Sequence, residues 1–236
     1  MKKRFLFILC FLFSMNLFAQ SLKWNYPVLP GSPEWSTFNY QEKVKSCEIP
    51  SDILSSLSTS ELFDVCMNFP LLHDAFFFNT LDEGVSKLLE RFNGLNELIN
   101  RADCSVYLLN SLSNNKNVLD LFSVLKTEEI GKEINNQMII ESLLGNKKVI
   151  SGINENQKNM IAKAAYSNFV LKRSQPEAFG MFAISNAALL LCKYLNELSE
   201  MVSQSESLTE FMKTKRLDYD GKIIDELIII SSIVLK

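Results

Sequence analysis

The sequence predicts an all-α fold: an irregular helical array or bundle around one long central helix near residues 176–204, preceded by an extended proline-rich arm. Three observations carry that expectation. Capping residues recur along the chain, apolar side chains fall three or four positions apart, and no stretch alternates apolar with polar residues as a half-buried strand requires. A short solenoid of helix hairpins is the competing arrangement, since helix starts near 58, 80 and 101 are spaced like hairpin repeats. No side-chain pattern recurs with that period, however.

The chain opens with Met1-Lys2-Lys3-Arg4 and then the apolar run Phe5 to Phe13. A basic stretch before a compact apolar core is the order of a bacterial export signal, and Ala19 supplies the small residue that cleavage needs. Residues 1–19 are therefore expected to be a signal peptide, too short for the ~20 apolar residues of a spanning helix. Cys10 follows bulky Ile8-Leu9 rather than small residues, which argues against lipid attachment. The expected location is the periplasm, the periphery of the outer membrane, or the exterior.

Residues 20–33 hold Pro27, Pro30 and Pro33, three of the six prolines. Proline removes an amide donor and pushes its predecessor toward extended geometry, so this stretch reads as an arm. Residues 34–236 then read as one helical domain. Ser32 caps a helix with Pro33 at its first position. Ser58-Thr59-Ser60-Glu61 is a capping box; Thr80 to Glu83 and Ser174 to Glu177 repeat it, and Asn154 to Gln157 is a weaker form. Gly94 and Gly145 fall where left-handed C-terminal caps are expected, and Phe69-Pro70 separates two helices. Val85, Leu88, Leu89 and Phe92 share a helical face, as do Ile130, Ile134, Met138 and Ile139.

Residues 178–192 carry no charge, but the run is shorter than a membrane span and contains Ser185 and Asn186, so a buried central helix continuing to Gln204 is expected. The β-branched tail leaves a strand open. Asp220 as a cap, with apolar spacing at 223, 227, 230 and 234, favours a docked helix.

Composition excludes several functions. Removing the 19-residue leader from 236 residues leaves 217, and loss of its three basic residues takes the net charge from −3 to −6. A mildly acidic chain without a basic tract suits neither nucleic acid nor an anionic membrane surface. With a single histidine and no CxxC, a zinc site is not expected, nor is any cofactor. Cys47, Cys66, Cys104 and Cys192 are either buried thiols or disulfide partners.

Catalytic constellations are equally thin. His73 lies beside Asp74, but neighbours on a helix diverge by about 100° and do not pair. The acid pairs Asp82-Glu83, Glu128-Glu129 and Asp225-Glu226 sit at helix starts or solvated faces, where acids are favoured in any case. The eight glycines are scattered, so no phosphate-cradling loop forms. Leu217-Asp218-Tyr219-Asp220-Gly221 is a fragment of a calcium loop and reads as a turn. No residue is assigned a catalytic, cofactor or metal role.

Aromatics are the one unusual feature. Trp24, Tyr26, Trp35, Phe38 and Tyr40 cluster near the mature N-terminus, and Phe76-Phe77-Phe78 do not all fit one core. Exposed aromatics serve recognition, which makes Trp24, Tyr26, Trp35, Phe76, Phe77 and Phe78 candidate partner-binding residues. The alternative is that the arm and the triplet pack on each other or on neighbouring helices.

Tyr26-Pro27-Val28, Pro30-Gly31, Pro33-Glu34-Trp35, Ile49-Pro50, Ser58-Thr59, Asn68-Phe69-Pro70 and Phe92-Asn93-Gly94-Leu95 together resemble a group of uncharacterised exported helical proteins of Bacteroides-like bacteria. The resemblance covers about residues 25–100 and implies export in a Gram-negative envelope. It implies no activity and no functional residues. The expected role is a non-enzymatic binding or scaffolding module for another envelope protein. The alternatives are an envelope hydrolase with dispersed carboxylates and a carrier of apolar ligands.

Overall fold

The computed structural model describes residues 24–113, 127–217 and 221–236. Among them are thirteen α-helices, one 3-10 helix and no strand. The expected signal peptide, the start of the arm, and the expected Asp220 cap lie outside the described residues.

The described part of the arm is non-helical and lies on the body: Tyr26 and Val28 are buried, and the Tyr26 hydroxyl donates to the Val65 carbonyl at 2.9 Å. Short helices follow, α1 (Pro33–Thr37), α2 (Tyr40–Ser46) and α3 (Ser51–Ser56), then α4 (Thr59–Met67). Ser32 accepts from the Trp35 amide and Ser58 and Glu61 close their capping box, both as expected. A 3-10 helix (Leu72–Phe77) leads to α5 (Leu81–Arg91), α6 (Asn93–Asn100) and α7 (Cys104–Ser113). The second half holds α8 (Thr127–Leu144), α9 (Lys147–Ser151), α10 (Glu155–Arg173), α11 (Pro176–Leu198), α12 (Glu206–Thr214) and α13 (Lys222–Val234). Asn154 and Gln157 form a complete capping box at the start of α10.

One apolar core runs from Tyr26 to Ile230. Helix α11 is its axis: α10 packs along it, and α8, α12 and α13 cover its other sides. It is the one helix among the described residues long and apolar enough to cross a membrane, yet 67% of its most apolar stretch is buried by these neighbours. The tail is a docked helix, with Ile223, Leu227 and Ile230 inward.

Several local expectations are corrected. Gly94 is no stop: it lies inside α6, where a side chain would strike the Phe92 ring and Ile49. The break falls one residue before α6, at extended Phe92. Gly145 follows α8 but without a left-handed backbone. Ser174 ends α10 instead of capping α11, whose N-cap Gln175 makes no side-chain cap bond. The central helix stops at Leu198, where Ser199 is extended, rather than reaching 204, and Gly180, at φ 71°, kinks its first turns. The four cysteines are buried free thiols.

Candidate functional site

Three features combine unusual side chains with defined geometry: an aromatic cluster, a polar cleft and a buried ion pair.

The cluster begins with a close backbone contact. A Cβ built on Gly84 of α5 would lie 1.9 Å from the Ala75 carbonyl oxygen, so only glycine lets α5 press against the 3-10 helix. At three residues per turn, Leu72 and Ala75 then face inward. Phe77 faces out and is 85% exposed. Phe76 stands edge-on to Phe182 with centroids 6.2 Å apart, and its other neighbour is the His73 ring at 6.3 Å. His73 Nε2 is 3.0 Å from Asn136 Oδ1, which ties this corner to α8. Because Gly180 kinks α11, Met181 and Phe182 turn outward and are 58% and 54% exposed.

Of the six aromatic candidates, only Phe77 is therefore presented to solvent. Phe78 is half-buried below the Arg91 guanidinium, which also covers Tyr40 and donates to its hydroxyl at 3.0 Å. Trp35 is half-buried under Lys43, and Trp24 is half-buried with no hydrogen-bond partner for its indole nitrogen among the described residues. Tyr26 is core, 6.2 Å from both Phe69 and Phe92, which stack at 4.1 Å. Sequence reasoning missed Met181 and Phe182. The available signal was Gly180 within an apolar run, since an isolated glycine there marks a break.

The cleft, about 560 Å³, opens between α5, the C-terminal end of α8, α11 and the end of α12. Asp82 sits in the first turn of α5, where acids are favoured, and turns its carboxylate into the cleft. Its Oδ2 accepts from Lys193 Nζ at 2.7 Å and lies 3.2 Å from Lys215 Nζ. Burial alone would raise the Asp82 carboxyl, but the charges and hydrogen bonds of Lys193 and Lys215 outweigh it and hold the group below its ordinary range. Glu197, on the rim, is bound by Lys158 at 2.9 Å.

Beneath the cleft lies the ion pair Glu141–Lys172, Oε1 to Nζ 2.7 Å, with both side chains fully buried. The Asn168 amide also donates to Oε1, and Asn186 donates to Oε2 at 2.6 Å and to the Met138 carbonyl at 3.0 Å. Ser142 lines the cleft and donates to Asn186 Oδ1 at 3.3 Å, so the network reaches the cleft floor. Buried charges persist only when paired and hydrogen-bonded, and this carboxylate satisfies both conditions.

No group of metal-ligating side chains occurs among the described residues. Within the acid pairs, the Asp82 carboxylate is engaged by two lysines and Glu226 accepts from Ser205 and Ser207. Those two hydroxyls lower the Glu226 carboxyl below its usual value. Glu128 lies outside the described side chains. No protein-family model, curated protein or solved structure matches the chain.

Proposed function

We propose that the protein is an exported, non-enzymatic binding module whose contact surface is built on the exposed side chains of Phe77, Phe182 and Met181. The partner is another protein of the envelope that offers an apolar pocket to the projecting Phe77 ring. Export rests on the basic-then-apolar leader and on the resemblance to exported helical proteins. The carrying observation is Phe77, held out at 85% exposure by a backbone contact that only Gly84 permits. Contiguous exposed apolar patches mark interaction sites, and a few anchor residues, aromatic ones prominent among them, carry most of the energy there.

The hydrolase reading is weaker at this geometry. A carboxyl acid needs a raised pKa, whereas Asp82 is held ionised by two ammonium groups and Glu197 is already paired.

Affinity purification of tagged protein from its own solubilised envelope tests the proposal. A single protein recovered in near-equal amount, and lost on Phe77→Ser while the helical signal is unchanged, supports it. Recovery of the tagged chain alone, or a partner indifferent to Phe77→Ser, overturns it.

A further inference from the structure

We propose that the cleft between α5, α8, α11 and α12 is a binding site for a small organic anion, whose carboxylate or phosphate is held between Lys193 and Lys215. This site is independent of the protein-binding surface.

Convergence is the first ground. Lys193 comes from the C-terminal part of α11 and Lys215 from the end of α12, yet both ammonium groups reach the same Asp82 oxygen, at 2.7 and 3.2 Å. One carboxylate cannot neutralise two ammonium groups, and each lysine keeps donors to spare, since an ammonium carries three. Both side chains are roughly three-quarters buried, 21% and 27% exposed, so their field is screened less than that of surface lysines.

Backbone cost is the second ground. Lys215 has φ 59°, ψ 26°, the left-handed conformation usually left to glycine at a helix end. It is the one non-glycine residue with positive φ among those described. The Ser185 hydroxyl donates to its carbonyl at 3.3 Å and holds the turn. Glycine would suit this backbone better but would supply no ammonium group. Strained backbone of this kind gathers at ligand sites.

Shape is the third ground. The volume is that of a metabolite-sized pocket. Asn146, Asn196, Ser86 and Ser142 line it with neutral hydrogen-bonding groups, and Val85, Ile150 and Met212 with apolar surface. Its charged lining is Asp82, Glu83 and Glu197 against Lys147, Lys193 and Lys215. Lys158 pairs with Glu197 from outside and is shared with Glu155, so the positive excess is local, at the two lysines that share Asp82. Gly145 leaves room for Lys193: a Cβ there would lie 3.0 Å from Nζ and 3.1 Å from Cδ.

Titration of isotope-labelled full-length mature protein with inorganic phosphate and, separately, with citrate tests the site by amide chemical shifts. The expected result is saturable movement of the Gly145 and Lys215 signals, with half-saturation on the order of 1 mM for at least one anion. Response to phosphate alone assigns a phosphate ligand, and response to citrate alone a carboxylate. Lys215→Gly relieves the left-handed backbone while removing the ammonium, and should weaken binding about tenfold without loss of fold. Gly145→Ala should weaken it by displacing Lys193, a flexible side chain able to move without unfolding the protein. Lys213→Ala, at an exposed neighbouring position, should leave it unchanged. No saturable shift with either anion, or equal weakening by Lys213→Ala, overturns the site.

Discussion

Replacing Lys172 by methionine removes one charge from the deepest polar cluster while keeping a stem of similar length in the core. Glu141 would keep its Asn168 and Asn186 donors but lose the ammonium at 2.7 Å, with both side chains already withdrawn from water. Breaking a buried pair from one side costs about 3–5 kcal/mol, because the surviving charge stays desolvated. In a chain of this size that corresponds to a fall in melting temperature of about 6–20 °C. Glu141→Gln alone should cost a similar amount by stranding Lys172. The double variant should recover about 1–3 kcal/mol relative to the sum of the single losses, since no buried charge then remains. Urea denaturation of the four proteins, followed by circular dichroism, measures the cycle. A Lys172→Met loss below about 1 kcal/mol, or strict additivity, would refute a desolvated, mutually dependent pair.

Three further outcomes follow from the same geometry. Gly84→Ala should destabilise by at least about 3 kcal/mol, because the Ala75 backbone has to move, and a melting temperature near that of the parent would show the contact to be soft. The Asp82–Lys193 pairing should be acid-labile. A carboxyl lowered in the folded state stabilises above its ordinary value and loses that contribution as pH falls through the folded value, so parent and Asp82→Asn should differ steadily from pH 5 to 8 and converge below about pH 4. The four buried thiols should resist a colorimetric disulfide reagent at pH 8, since burial pushes Cys104 and Cys192 up to about 12 and Cys47 to about 11. Unfolding should release four thiols; fewer than four would reveal a disulfide.

Features set within one turn of helix were legible in the sequence. The Ser58–Glu61 and Asn154–Gln157 boxes and the Ser32 cap depend on residues three apart, and all three form. Gly94 was misread because tertiary packing overrides local preference, since it is small to clear Phe92, and Ser174 because its hydroxyl bonds Leu171 and serves the end of α10. Asp82 was rightly placed at a helix start. Its two lysines lie on helices far along the chain, and no local pattern announces such a meeting. The aromatic triplet was visible as an anomaly, but which ring faces water depends on Gly84 and Gly180, two glycines that only the fold connects to it.

The most direct test is quantitative mass spectrometry of proteins recovered from the envelope with the parent chain and with a folded Phe77→Ser/Phe182→Ser variant. The proposed surface predicts one partner in near-equal amount with the parent, reduced more than tenfold by the double substitution, since hot-spot truncations cost about 2 kcal/mol or more each. Equal recovery of the same partner by both proteins would contradict it.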